Sequence, residues 1–482
     1  MKTVKQSDRD IYRLIVVRRD ASEILLVSGE TGLSLPCVEI TPQRRIAPQL
    51  IAELNRQRSL QTYCLFVPSF MASHRNRQLE NYAVLESSEE NEEPPEGTCW
   101  MPRTVCANQH KLPLQDCDAI SASLRELDLN GSKSNATSFG RPGWLRELFA
   151  WTQAQLSPLG LRLTMKFSQF NASPTFSLIR LETSGFAAWF KATGEPNLHE
   201  LPITLCLAQL FPGYLPPILG IQRAWNGWLS QEVSDKTLGQ CVALSDWEMV
   251  AETLARLQID SIGKCCALLD AQCKDLRLRR LMDLIPTFLA CMAELMAAQE
   301  KQSPAPLTAR ELEFLARRLR EDLLLLESIG LPDTLGHIDF NPGNILISPA
   351  RCVFLDWAEA CVTNPFLTFE YLCEHARRNF ACDATASARV TNGYLRPWAS
   401  LLSPAELAKA LTLSPLIAVY TYAIAIGSWA APDMNRNPTR SRYLRSLTRR
   451  MHVEAMRQAN GKNGWASNSQ RFKDLVPSRT SP

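Results

Sequence analysis

Between residues 335 and 359 the chain alternates between polar and apolar stretches in a way that predicts a two-stranded hairpin. Residues 345–347 are one apolar run and residues 352–355 are a second, and each has the composition of a short strand. Residues 348–351 lie between them and include a proline, which is typical of a turn. The hairpin is expected to bring the residues before its first strand close to those after its second.

Four polar residues flank this hairpin, with His337, Asp339 and Asn344 before it and Asp356 after it. These residue types suit phosphoryl transfer. One carboxylate orients the attacking hydroxyl and accepts its proton, whereas an amide oxygen and a second carboxylate hold the magnesium ions that neutralise the transferred phosphate. The kinase catalytic loop has its asparagine five positions after its aspartate, and Asp339 and Asn344 reproduce that interval.

The segment resembles the aminoglycoside phosphotransferase and choline kinase branch of the kinase-like fold. The pattern of that branch is His-Gly-Asp, four residues, Asn-Ile-Leu and then Ile-Asp-Trp. The resemblance covers about residues 165–400, is most specific at 337–357, and departs from the pattern at Ile338, where the branch has glycine. It implies an α+β, bilobal protein-kinase-like fold with a β-rich N-lobe and a helical C-lobe.

The resemblance also implies roles for the four polar residues. Asp339 is expected to be the catalytic base, and His337 is expected to support the loop around it. Asn344 and Asp356 are the expected magnesium ligands, so ATP and Mg²⁺ are the predicted cofactors.

A lysine and a glutamate upstream complete the predicted site. The third strand-like run of the N-lobe carries Lys191, and Glu200 opens a helical stretch nine residues later. A kinase-like site uses a strand lysine to bind the α- and β-phosphates and a helix glutamate to hold that lysine. Glu195 is the competing partner for Lys191.

Two further segments are expected to contact the nucleotide. The turn that covers the phosphates in a kinase-like N-lobe lacks its usual glycines here, and Ser173 is the candidate side chain for a phosphate contact. The backbone from Gln231 to Val233 is expected to form hydrogen bonds with the adenine edge.

Patterns in the C-lobe predict helices with defined starts. Ser245 with Glu248, and Thr308 with Glu311, have the spacing of capping boxes. A further helix is expected after Pro365, in line with the resemblance.

Residues 11–85 alternate strand-like runs with one helical pattern and weakly resemble a Nudix fold. A Nudix enzyme binds magnesium through a cluster of glutamates on that helix, whereas the pattern at 46–57 contains Glu53 alone. We therefore expect a degenerate, non-hydrolytic domain, and an unrelated small α+β domain is the alternative.

A chain of 482 residues is too long for one ordinary core, so two or three domains are expected. The patterns divide the chain into a degenerate Nudix-like domain at 1–85, an acidic and polar linker region at 86–138, a kinase-like phosphotransferase domain at 139–432 and a basic tail at 433–482. Within the phosphotransferase domain, the N-lobe is expected at about 139–233 and the C-lobe at about 234–432.

The composition of the chain bears on its location and on whether it binds nucleic acid or a membrane. The net charge of +3 gives no reason to expect nucleic acid, and the 15 cysteines are scattered, as in a cytosolic protein with reduced thiols. The N-terminus lacks the apolar core of a signal peptide. Residues 410–432 carry no charge and are expected to form a buried helix, with a membrane span as the alternative. We expect a cytoplasmic protein without a membrane partner.

The function that these patterns favour is an ATP- and Mg²⁺-dependent transfer of the γ-phosphate to a hydroxyl of a small molecule. The main alternative is a kinase-like pseudoenzyme that binds a nucleotide or metabolite, which the glycine-poor turn suggests. A protein kinase is disfavoured because Asp-Trp stands in place of Asp-Phe-Gly and no Ala-Pro-Glu follows. A Nudix hydrolase is disfavoured by the missing glutamates.

Overall fold

A computed structural model of the chain describes residues 9–18, 20–29, 32–42, 44–67, 81–88, 93–106, 112–131, 139–233, 236–348, 351–430 and 437–460. These residues form two compact units. The first unit contains the described residues up to Leu201 together with Pro217–Glu232. The second contains Pro202–Pro216 and the described residues from Val233 onward.

The N-terminal part of the first unit is a mixed sheet with a helix on one face. Its elements are β1 Asp10–Val17, β2 Glu23–Gly29, β3 Gly32–Ser34, β4 Cys37–Ile40, α1 Ile46–Arg58, β5 Thr62–Phe66, β6 Asn81–Ser87 and β7 Thr98–Pro102. The strand order is β3-β2-β1-β6-β5, with β4 paired to β1 and β7 paired to β2. Strands β1 and β6 are parallel, so this sheet is not a simple meander.

Strand β1 is buried on both faces of this sheet. Leu14 and Val16 pack with α1 in one core, whereas Ile15 and Val17 belong to a second core on the other face. A strand with two buried faces needs apolar residues at successive positions, and residues 14–17 of β1 form such a continuous apolar run.

The stretch at 86–138, predicted to be a linker, contains folded elements. Besides β7, it contains α2 Arg103–Cys106 and α3 Leu114–Asn130. Ile120 and Leu124 of α3 are buried in the second core. Asp116 of the same helix is fully buried and accepts a hydrogen bond from Arg13 at 3.0 Å. These parts of the stretch therefore belong to the first unit rather than to a linker.

A helix and a five-stranded antiparallel sheet complete the first unit. They are α4 Trp144–Leu156, β8 Leu163–Gln169, β9 Phe176–Thr183, β10 Ala188–Thr193, β11 Ile218–Gln222 and β12 Gly227–Gln231. The strand order is β11-β12-β10-β9-β8. Trp144 of α4 packs against Phe190 of β10, with ring centroids 5.9 Å apart. Both residues share their core with Ile15 of β1, so the two sheets of the first unit have one continuous hydrophobic core.

The second unit is mainly helical, as predicted for the C-lobe. Its helices are α5 Glu200–Leu210, which starts in the first unit, α6 Leu244–Asp260, α7 Cys265–Asp270, α8 Leu278–Ala297, α9 Ala309–Glu327, α10 Pro365–Asn379, α11 Ala384–Trp398, α12 Pro404–Ala425 and α13 Pro438–Ala459. Its strands are β13 Lys274–Leu276, β14 Thr334–His337, β15 Ile345–Ile347, β16 Cys352–Phe354 and β17 Ala360–Thr363.

The two predicted capping boxes have different outcomes. The box of Thr308 and Glu311 is present at the start of α9. The other is wrong, because α6 begins at Leu244 without a side-chain cap. The carboxylate of Glu248 binds Arg389 of α11 instead, with one N–O distance of 2.9 Å. A tertiary ion pair has therefore replaced the local cap.

Helix α12 is long and apolar enough to cross a membrane, by length and composition alone. Buried positions make up 67% of its most apolar 18-residue window. Ile417 and Tyr420 are fully buried in the core of the second unit, and the Tyr420 hydroxyl donates to the carbonyl oxygen of Leu281 at 2.9 Å. These contacts are those of a core helix.

Candidate active site

The structure shows the predicted hairpin between β15 and β16. The strands are antiparallel, with Ile345 opposite Phe354, and residues 349–350 of the predicted turn lie outside the described residues. One further hydrogen bond extends the pairing, since the N–H of Leu355 donates to the carbonyl oxygen of Asn344 at 2.8 Å. The hairpin therefore fixes Asn344 beside the residue that precedes Asp356.

His337 lies at the end of β14 and is 1% exposed. Its Nε2 lies 3.0 Å from the carbonyl oxygen of Leu355, so Nε2 carries the hydrogen in this contact. The imidazole ring packs against Trp357, with ring centroids 4.9 Å apart. The backbone N–H of His337 donates to Thr368 Oγ1 at 3.0 Å. Burial lowers the pKa of His337 below its ordinary value. These are the contacts of a packed, hydrogen-bonded side chain, and the supporting role of His337 stays a prediction.

Asp339 is held by two asparagine side chains. Asn341 Nδ2 donates to Asp339 Oδ1 at 3.1 Å, and Asn344 Nδ2 donates to the Asp339 carbonyl oxygen at 3.1 Å. Asn341 Oδ1 in turn accepts the N–H of Gly343 at 2.9 Å. The side-chain nitrogen of Asn344 is therefore used in the contact with Asp339, and the side-chain oxygen of Asn344 points away from that contact. Sequence reasoning missed Asn341, whose only signal is its position two residues after the aspartate.

Asp356 has a left-handed backbone conformation, with φ of 64°. It precedes the short helical turn Trp357–Glu359. Residues other than glycine seldom adopt this conformation, although aspartate tolerates it better than most. Strained backbone positions cluster at active sites and ligand clamps, which makes Asp356 a functional candidate on geometry as well as on sequence.

The departure at Ile338 does not disrupt the loop. Ile338 is 3% exposed, packs in the core of the second unit and is not among the residues with positive φ. Its N–H donates to the carbonyl oxygen of Glu359 at 3.0 Å. The position that requires glycine is Gly336, where an added Cβ would lie 2.5 Å from Thr363 Cγ2 and 2.9 Å from Cys361 Sγ.

The structure places Lys191 and Glu200 in an ion pair, as their spacing predicts. Lys191 Nζ lies 2.5 Å from Glu200 Oε1, with side-chain exposures of 15% and 2%. The ammonium also lies 5.6 Å from the ring centroid of Phe176 and 5.8 Å from that of Trp228. Glu200 is the first residue of α5, so the partner of Lys191 is Glu200 rather than the competing Glu195.

Of the residues predicted to contact the nucleotide, Ser173 and Gln231 lie in the first unit and Val233 lies in the second. Ser173 is in the turn between β8 and β9, where its Oγ accepts the N–H of Thr175 at 3.2 Å. The N–H of Gln231 donates to the carbonyl oxygen of Pro217 at 2.9 Å, so this donor already serves the sheet. The expected contact of the Gln231–Val233 backbone with adenine stays a prediction. Val233 opens the longer segment of the second unit and is half-buried.

Three acidic residues near the site are occupied by basic partners. Glu359 lies 2.5 Å from Lys274 Nζ, while Glu370 and Glu374 lie 2.6 and 3.0 Å from Arg377. Burial acts to raise the pKa of Glu374, but neighbouring arginines outweigh it and lower the pKa to about 2. These carboxylates therefore form ion pairs within the second unit.

The residues at the end of the hairpin fit a magnesium ion by their chemistry. Asn344 and Asp356 supply hard oxygen donors, which Mg²⁺ prefers. In the described part of the chain no group of three His, Cys, Asp or Glu residues forms a metal cluster. Magnesium in phosphotransferases is commonly held by one or two carboxylates and completed by substrate phosphates, so two protein ligands are compatible with it.

Comparison with known proteins finds one family model that matches the segment containing the hairpin. Residues 227–401 match the model of the phosphotransferase enzyme family, and no curated protein matches the chain. The chain is similar to macrolide 2′-phosphotransferase MphH of Brachybacterium faecium (13% identity, 63% of this chain and 98% of that one, TM-score 0.43) and to choline kinase of Cryptosporidium parvum Iowa II (10%, 66%, 96% and 0.45). The family match covers residues 227–401, which include the β15–β16 hairpin and the polar residues at its end.

Proposed function

We propose that the chain transfers the γ-phosphate of ATP to a hydroxyl group of a small molecule. The observation that carries this proposal is the arrangement of Asp339, Asn344 and Asp356 around one end of the β15–β16 hairpin, inside the family-matched segment. These are the base and the cation ligands that phosphoryl transfer requires. The names of the similar kinases state the acceptors of those proteins. Because a shared fold does not specify the substrate, they do not assign an acceptor to this chain.

Asp339 accepts the proton of the acceptor hydroxyl as that oxygen attacks the γ-phosphorus, while the bond from the γ-phosphorus to the β–γ bridging oxygen breaks and ADP leaves. Its carboxylate is oriented by the hydrogen bond from Asn341 at 3.1 Å, and its backbone is fixed by Asn344. His337 stays neutral and positions the loop through Leu355. Orientation of this kind lowers the barrier because the reacting groups are already placed.

Lys191 binds the α- and β-phosphates, and Glu200 keeps its ammonium in place. Asn344 and Asp356 would hold magnesium through their side-chain oxygens. When bound, magnesium neutralises the charge that develops on the phosphoryl oxygens. Ser173 and the backbone near Val233 contact the nucleotide in this proposal.

The N-terminal segment at 1–85 is proposed to be a Nudix-like domain without hydrolase activity. Glu53 on α1 is hydrogen-bonded to Arg56 at 2.5 Å and to Gln57 at 2.9 Å. Arg56 and Gln57 lower the pKa of Glu53 to about 2. A single carboxylate that is already paired does not make a magnesium cluster, which supports the non-hydrolytic role. A cytoplasmic location remains a prediction.

The test is to incubate the protein with γ-labelled ATP, Mg²⁺ and a cell extract from which macromolecules have been removed. The expected result is a labelled small-molecule phosphate ester that is formed by the wild type. Label that appears only in inorganic phosphate or only on protein would contradict a small-molecule acceptor.

A further inference from the structure

The turn between β8 and β9 is tied to the N-terminal sheet by one buried glutamine. Gln169, the last residue of β8, is 2% exposed. Its Nε2 donates to the carbonyl oxygen of Cys64 at 2.7 Å, and its Oε1 accepts the N–H of Cys64 at 2.8 Å. The same Nε2 donates to the carbonyl oxygen of Asn171 at 2.9 Å. The side-chain amide thus acts like the peptide group of a neighbouring strand.

Cys64 lies on β5, which is at the end of the strand order in the N-terminal sheet. Backbone groups on the open side of an edge strand need partners when they are buried. Gln169 supplies both a donor and an acceptor at this point, so the contact has a defined register. The amide therefore specifies where the turn sits against the N-terminal sheet.

Three more contacts connect the turn to other parts of the first unit. The Arg45 guanidinium donates to the carbonyl oxygen of Phe170 at 3.4 Å and lies 5.6 Å from the centre of the Phe170 ring. The N–H of Phe139 donates to the carbonyl oxygen of Pro174 at 2.9 Å. Ala172 packs against the core between α1 and the N-terminal sheet. The turn is therefore anchored near its start, its middle and its end.

We propose that Arg45, Cys64 and Phe139, here called the N-terminal brace, fix the β8–β9 turn in the conformation that contacts the nucleotide phosphates, with Gln169 as the positioning residue. This inference rests on the proposed function. Glycines normally let such a turn approach phosphates, whereas this turn is Asn-Ala-Ser-Pro at 171–174. A turn that is ordered during folding loses little further conformational entropy when the nucleotide binds. The N-terminal region thereby contributes to nucleotide binding without touching it.

The chain offers a matched control for Gln169. Gln153 of α4 makes the same kind of amide contact at the opposite end of β8, where its Oε1 accepts the N–H of Leu163 at 2.8 Å and its Nε2 donates to the carbonyl oxygen of Leu161 at 3.2 Å. Gln169→Leu and Gln153→Leu each remove a side-chain amide that pairs with backbone groups, one at each end of β8. Only the first of them releases the turn.

The measurement is the affinity of each full-length variant for MgATP and for adenosine, which has no phosphates. We expect Gln169→Leu to weaken MgATP binding by roughly tenfold, the equivalent of one or two net hydrogen bonds. Adenosine affinity should stay at the wild-type value, and Gln153→Leu should leave the ratio of the two affinities unchanged. A purely structural role would not move this ratio.

An unchanged ratio in Gln169→Leu, with normal MgATP binding by the wild type, would overturn the brace and leave the proposed function standing. A wild type without MgATP affinity would contradict the proposed function and the brace together. If Gln169→Leu does not fold, amide hydrogen exchange of the wild type decides. Slow exchange of residues 170–173 without nucleotide supports the brace, and fast exchange that slows only with MgATP overturns it.

Discussion

Replacement of Asp339 by asparagine is expected to lower kcat by about 10²–10⁴-fold, the usual contribution of a general base. The carboxamide has nearly the same shape, and its oxygen still accepts the hydrogen bond from Asn341 that holds the native side chain at 3.1 Å. It has no basicity, so the acceptor hydroxyl keeps its proton. Nucleotide affinity should stay near the wild-type value, because the proposed nucleotide contacts are made by other residues.

The control for this variant is Asp283→Asn, on an exposed position of α8. It changes the same charge and should leave kcat and nucleotide affinity unaltered. Full activity of Asp339→Asn would remove Asp339 from the catalytic role. Joint loss of nucleotide affinity and folding stability would instead make it a structural residue.

Loss of the Lys191 ammonium is the second large effect. Lys191→Met should reduce kcat/KM for ATP by about 10- to 100-fold, since a hydrogen bond to a charged group is worth about 1.5–3 kcal/mol. The same change breaks the ion pair with Glu200, whose carboxylate lies 2.5 Å away and whose side chain is 2% exposed. Removing one partner of a buried ion pair costs about 3–5 kcal/mol, so the single variant also loses stability.

A double variant separates these two effects. Lys191→Met with Glu200→Gln removes both charges and nearly preserves both shapes, so its Tm should lie closer to the wild type than that of Lys191→Met. Its kcat/KM for ATP should remain low. Lys166→Met, on an exposed position of β8, is the control for loss of a lysine from the same sheet. Wild-type kcat/KM in the double variant would contradict a phosphate-binding role.

The sequence patterns predict those structural elements that are determined by residues close together in the sequence. The hairpin before Asp356 follows from two apolar runs with a turn between them, and the position of Lys191 follows from a strand that precedes a helix start. Proline at the third position of α5 suits the first turn, and this agrees with the helix start observed at Glu200. Local signals of this kind specify which residues meet within one supersecondary unit.

Contacts between distant segments are not visible in such patterns. Gln169 binds Cys64 across 105 positions, and no periodicity in either strand distinguishes a glutamine that pairs with a backbone from one that faces solvent. Competition between partners also escapes prediction. Glu248 has the spacing of a local cap, yet it binds Arg389, which lies 141 positions away. The shared core of the two sheets in the first unit is likewise built from residues that are distant in sequence, so the sequence patterns do not predict it.

A thermal-shift titration with ATP, ADP and GTP, each with and without Mg²⁺, tests the central claim most directly. A ligand that binds only the folded state raises the Tm by mass action. We expect ATP to raise the Tm of the wild type only when Mg²⁺ is present, and we expect Asp356→Asn to abolish this rise. Asparagine is the suitable replacement because it tolerates the φ of 64° at this position. Absence of a shift with every nucleotide, with or without Mg²⁺, would contradict the account.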